Sequence, residues 1–261
     1  MKEMKERILI VEDAGELLVE RARKELAGVD IDLAENLEEA LSKLHGNTYS
    51  HVITDMDFPS AEPKEYSIDF ERVLIQYSRF LGKILEKEID PKILVGLAKS
   101  CKEEIQTQSE LGNPVPVGPL SYDRVTESLK KGEMYKTKRF INGITVAQYC
   151  REKNIPYSIY TGDWSHSWPG TVKVVEEELA DPQEAIAALF FDYAVNYSNP
   201  GFKKEDLVDR FGLKFFPKYN YRGRDRGIVA TPDYRFWIGY ERPGRKEYAL
   251  VIGRIIEKLS S

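Results

Sequence analysis

The chain has 261 residues, 42% hydrophobic and 31% charged, a balance that supports a packed core and excludes a disordered or low-complexity protein. The net charge of −5 is uneven: residues 200–261 carry 14 Lys and Arg against 8 Asp and Glu, or +6, which leaves −11 for residues 1–199. An acidic body with a mildly basic C-terminal region follows. The longest apolar runs, such as residues 185–191, are too short to span a bilayer. The opening Met1-Lys2-Glu3-Met4-Lys5-Glu6-Arg7 is no signal peptide, so a cytoplasmic protein without a membrane segment is expected. Cys101 and Cys150 lack metal-ligand spacing and read as free thiols.

Ile8-Leu9-Ile10-Val11 is a β-branched run ending in Glu12-Asp13, as a buried parallel strand reads. Leu17, Leu18, Ala22 and Leu26 recur at helical spacing up to Gly28. Residues 31–34 read as a second strand. Asn36 predicts an N-cap, with Glu39 completing a capping box, for a helix carrying Leu37, Ala40, Leu41 and Leu44. His51-Val52-Ile53-Thr54 is a third strand, and it delivers Asp55-Met56-Asp57-Phe58-Pro59. Such an alternation predicts parallel strands with right-handed crossovers. Ligands of such sheets sit beyond the carboxyl ends of the strands, where Glu12, Asp13 and Asp55 all fall.

One Asp at a strand end is accounted for by a turn or a cap. An acidic pair and a third Asp 42 residues later, all at carboxyl ends, point to one pocket. Three clustered carboxylates repel one another. A hard divalent ion, Mg²⁺ foremost, resolves this with protein oxygens and retained waters. Asp55 then becomes a candidate nucleophile toward phosphorus, with the metal neutralising charge on the transferring group.

Residues 8–13 and 52–59 resemble the receiver domain of two-component response regulators, over a contiguous match of residues 7–59. The resemblance implies a doubly wound parallel, flavodoxin-like α/β sheet. It implies that Glu12, Asp13 and Asp55 bind Mg²⁺ and that Asp57 lends the ion a backbone carbonyl. Asp55 is then the phosphoacceptor, charged by a histidine kinase or phosphotransfer protein. A receiver would continue at once into its third helix, but here residues 60–140 intervene. They read as a mainly helical insertion, with helices over 66–87, 91–108 and 122–131 and an extended connector at 113–119. The family pattern resumes at Asn142-Gly143, which resembles the segment opening the third helix. Residues 155–162 then resemble the fourth strand, which implies that Thr161 hydrogen-bonds the phosphoryl group and Gly162 leaves room for it. Receivers also carry a Lys, usually before Pro, that ends a fifth strand and pairs with the phosphoryl group. Val172-Lys173-Val174-Val175 is the candidate strand, with Lys173 only 12 residues after Thr161 and followed by three Glu rather than Pro.

Trp164, His166 and Trp168 follow Thr161 closely, either as an aromatic loop beside the pocket or as a cover over the core. Residues 181–194 and 203–211 read as helices, 228–230 and 234–240 as strands around a Thr231-Pro232-Asp233 turn, and 249–259 as a last helix. The receiver-like domain is therefore expected over 1–59 and 141–198, with 199–261 as a small α+β region. The aromatic and basic residues of 215–227 suit nucleic acid, or else an ordinary packed hairpin. Two other functions stay open: a degenerate pseudo-receiver that binds protein or nucleic acid, and a phosphatase. Asp55-Met56-Asp57 is similar to the Asp-x-Asp of the haloacid-dehalogenase superfamily, which implies Asp55 as nucleophile and Asp57 as acid–base.

Overall fold

A computed structural model describes residues 6–13, 15–56, 58–61, 64–68, 135–139, 142–161, 212–221, 224–239 and 247–259. The chain divides into two compact units. The first comprises residues 1–64, 139–163 and 214–261; the second comprises 65–138 and 164–213.

The described elements are β1 (Arg7–Val11), α1 (Glu16–Glu25), β2 (Asp30–Ala34), α2 (Leu37–Gly46), β3 (His51–Thr54), β4 (Lys64–Ile68) and β5 (Tyr135–Arg139). They continue with α3 (Asn142–Glu152), β6 (Tyr157–Thr161), β7 (Lys214–Tyr221), β8 (Arg224–Ala230), β9 (Phe236–Gly239) and α4 (Tyr248–Leu259). The first unit holds a seven-stranded mixed sheet in the order β2-β1-β3-β6-β9-β8-β7. Every pairing from β2 to β9 is parallel, while β8 pairs antiparallel with both β9 and β7. The fold is α/β. β4 and β5 form a separate two-stranded sheet.

Ile8 to Val11 are all buried, as a strand covered on both faces requires. Successive side chains alternate between those faces. Ile8, Ile10, Ile53, Tyr160 and Trp237 pack with Val19 and Ala22 of α1 and with Val251, Ile252 and Ile255 of α4. Leu9, Val11 and Val52 join Ala40 and Leu44 of α2 and Val146 and Cys150 of α3 in a second cluster. Each fully buried aliphatic side chain of this kind contributes about 1.5–3 kcal/mol, so two layers of them hold the strand ends in fixed register.

Local signals act where the sequence placed them. Asn36 Oδ1 accepts a hydrogen bond from Glu39 N at 2.9 Å, as an N-cap does. The returning Glu39 carboxylate accepts from Glu35 N at 3.0 Å, one residue before the partner a capping box predicts. Gly28, just past α1, has φ +111°, a conformation that suits glycine.

Two expectations change. Residues 66–68 belong to β4, not to a helix that starts at 66; the rest of that helix and those at 91–108, 122–131, 181–194 and 203–211 lie outside the described residues. Of the region expected over 199–261, residues 214–261 share a compact unit with β1 and β3. β9 is the link: Phe236, Trp237 and Ile238 are all fully buried, as in a strand covered on both faces, and it has neighbours on both edges. These are β6 and β8. The turn at Thr231 to Asp233 does link two antiparallel strands, as expected, but the hairpin is the sheet's continuation.

Candidate metal centre

β1 and β3 lie side by side with Val11 opposite Thr54. The next residues, Glu12 and Asp55, therefore leave the sheet together at its carboxyl end. The ladder runs one residue further: Glu12 N donates to Ala34 O at 2.9 Å and Asp55 N to Val11 O at 2.8 Å. Both backbones are thus fixed before their side chains depart. Thr54 Oγ1 donates to Asp55 O, and Asp55 Oδ1 accepts from Met56 N at 2.7 Å.

The first turn of α3 presses on the same loop. Gly143 N donates to Met56 O, and the buried Asn142 side chain donates to Phe58 O. A Cβ on Gly143 would stand 2.2 Å from Asp55 O and 3.0 Å from Met56 Cα. Only glycine permits this approach. The close contact accounts for a glycine at position 143, the second residue of α3.

Glu12, Asp13 and Asp55 come together, each offering a carboxylate oxygen, with these oxygens all within 4.8 Å of one another. Glu12 is buried, Asp55 half-buried and Asp13 exposed. The donor set is all oxygen and all anionic, and one side opens to solvent. It can hold a metal ion, and that chemistry fits a hard cation that keeps part of its water shell.

A fourth group in the pocket escaped sequence reasoning. Tyr248, the first residue of α4, is fully buried and its hydroxyl donates to Glu12 Oε2 at 2.6 Å. Burial first, then the charges of Glu12 and Asp55, hold its phenol well above the ordinary tyrosine range, so it stays a donor. The Tyr248 ring meets the Tyr160 ring edge-on at 5.4 Å. Tyr160 hydroxyl accepts from Glu247 N at 3.1 Å, and Glu247 pairs with Lys218 of β7 at 2.6 Å. Tyr248 precedes the apolar spacing that marks the helix, so periodicity gave it no weight. Its polar tip at the start of a buried helix was the available signal.

Thr161 is the last residue of β6 and is buried at the same end of the sheet. Asp57, Gly162, Lys173, Trp164, His166 and Trp168 lie outside the described residues. The place beside β6 that spacing offered to residues 172–175 is taken by β9.

The other conspicuous groups serve packing. His51, at the amino end of β3, shares Nε2 with Ser158 Oγ at 2.8 Å, and Ser158 Oγ donates to Tyr234 O at 2.7 Å. With the serine proton so used, Nε2–H is the donor. His51 Nδ1 has no hydrogen-bond partner among the described residues. Burial, then the charge of Lys258, lowers its pKa to about 4. Cys150 is a buried free thiol that burial pushes up to about 12, which leaves it unreactive. No helix among the described residues is long and apolar enough to cross a membrane. Comparison with protein-family models, curated proteins and solved structures found no match to this chain.

Proposed function

We propose that the first unit is a receiver-like signalling domain of the cytoplasm that binds Mg²⁺ through Glu12, Asp13 and Asp55 and accepts a phosphoryl group on Asp55. The observation that carries the reading is the convergence of three carboxylates from adjacent parallel strands, with oxygens within 4.8 Å. The parallel order β2-β1-β3-β6-β9, with helices packed on both faces, supports a doubly wound, flavodoxin-like arrangement. In such sheets ligands bind beyond the carboxyl ends of the strands, where these residues lie.

In this reading the donor is a phosphohistidine of a kinase or phosphotransfer protein. Asp55 attacks phosphorus, the phosphorus–nitrogen bond breaks, and an acyl phosphate forms as the imidazole leaves. Mg²⁺, when bound, offsets charge on the transferring group. Met56 N, already bonded to Asp55 Oδ1, orients the nucleophile. By the resemblance, Thr161 would supply a hydroxyl at the adjacent strand end, Gly162 would leave space, and the backbone carbonyl of Asp57 would serve as a further metal ligand. A second candidate for the phosphate-pairing cation stands beside Lys173: β9 runs on in sequence to Tyr240-Glu241-Arg242-Pro243, with Arg242 directly before Pro. Guanidinium suits this role because its fork matches phosphate geometry.

Titrating the full chain with Mg²⁺ and then beryllofluoride, followed by backbone NMR, tests the site without knowledge of the kinase. Expected are Mg²⁺-dependent shifts at residues 12, 13 and 55, and further shifts at 161 with beryllofluoride. Silence at all four positions refutes the reading. Acetyl phosphate should label the wild type and not Asp55→Ala.

A further inference from the structure

We propose that Tyr248 sets the cation preference of the pocket, by holding Glu12 Oε2 so that Glu12 meets an ion through a single oxygen. The inference rests on reading the pocket as a divalent-cation site, and it assigns a positioning residue to it. The hydroxyl lies 2.6 Å from Oε2, the length of a charge-assisted hydrogen bond to a carboxylate. Tyr248 itself has little room to turn away. Its ring is fully buried, packed edge-on against Tyr160, and belongs to the same core as Val251, Ile252 and Ile255. The adjacent backbone is tied down as well, through Glu247 N to the Tyr160 hydroxyl and through the Glu247 carboxylate to Lys218. The phenol is a fixed donor aimed at one oxygen of one ligand.

The consequence follows from ion size. Ca²⁺ favours six to eight oxygens and commonly takes a carboxylate through both of its oxygens. Mg²⁺ demands octahedral geometry, binds carboxylates through one oxygen and keeps its waters. A Glu12 whose second oxygen is engaged by Tyr248 suits the smaller ion and handicaps the larger. Groups that orient a metal ligand from behind are worth about 10–100-fold in metal affinity.

Tyr248→Phe keeps the ring and deletes the donor. Dissociation constants for Mg²⁺ and Ca²⁺ are measured separately by calorimetry on the full-length wild type and variant. The expected result is a fall of about tenfold in the ratio of Mg²⁺ to Ca²⁺ affinity in the variant. An equal change for both ions, or none, overturns the assignment while leaving the cation site intact. Absence of binding of either ion to the wild type overturns both readings. If the Phe variant does not fold, Glu12→Asp withdraws the carboxylate from the phenol by one methylene. The ratio should fall there too, and an unchanged ratio refutes the proposal.

Discussion

Acidification should weaken the first unit through His51 before its carboxylates titrate. The imidazole is buried, one ring nitrogen is committed to Ser158, and the other has no hydrogen-bond partner among the described residues. Burial and then the charge of Lys258 lower its pKa to about 4 from an ordinary 6.5. An unfolded chain protonates this histidine as pH drops below 6.5, whereas the native state resists until about 4. The unfolded state therefore binds more protons in that window. Stability is full above pH 6.5 and declines as pH falls toward 4. At 1.36 kcal/mol per pKa unit the loss is about 3 kcal/mol, a large share of a typical domain's stability. Carboxylates contribute at the acid end, so the quantity to measure is a difference between two proteins. His51→Gln retains an amide donor for Ser158 and cannot titrate. Urea unfolding at pH 7.5, 6.5, 5.5 and 4.5 should show the wild type losing about 2–3 kcal/mol more than the variant. Parallel losses in the two proteins would refute the reasoning.

Gly143→Ala must move the first turn of α3 or the Asp55 loop by about 1 Å, at a cost of about 1–3 kcal/mol; urea midpoints should fall, and Mg²⁺ affinity should fall with them because Asp55 O is the atom displaced. Asn36→Ala removes the α2 cap and should cost about 1 kcal/mol in the same assay with no change in Mg²⁺ affinity. Arg242→Ala should leave Mg²⁺ binding in place and weaken the beryllofluoride response seen by NMR; an unaltered response excludes Arg242 as the phosphate partner. Turnover of a generic phosphate ester, lost in Asp57→Asn, would replace phosphoacceptance by phosphatase chemistry.

The first half of the sheet was legible because its signals are local. A run of four apolar residues, an acidic pair, an Asn cap and a strand ending in Asp55 each carry their meaning within a few positions. The pocket followed, since strand ends in a parallel sheet must converge. β9 was harder to place. Its sequence, Phe236-Trp237-Ile238, signals a buried strand, but nothing local says that its parallel partner is β6 rather than another hairpin strand. Chain distance hides the pairing, because residues 164–213 belong to a different unit. Lys173, the cation that spacing offered, therefore precedes in the chain the strand that borders β6. Tyr248 was hidden for a related reason. A tyrosine opening a helix has no periodic signature, and only the packing of α4 brings its hydroxyl to Glu12.

The pocket is thus held from two sides by different means. Glu12 and Asp55 are set by backbone hydrogen bonds to β2 and β1, all within the first 60 residues. The donor on Glu12 comes from α4, which packs in one core cluster with Trp237 of β9. Loop closure between such distant segments costs entropy that grows slowly with length, and the fully buried Trp237, Phe236 and Ile238 offset it with apolar area. A long interruption between β6 and β9 is therefore tolerable for the sheet. The acidic half of the site is thus written compactly near the N-terminus, while the hydroxyl that meets Glu12 comes from Tyr248, far along the chain.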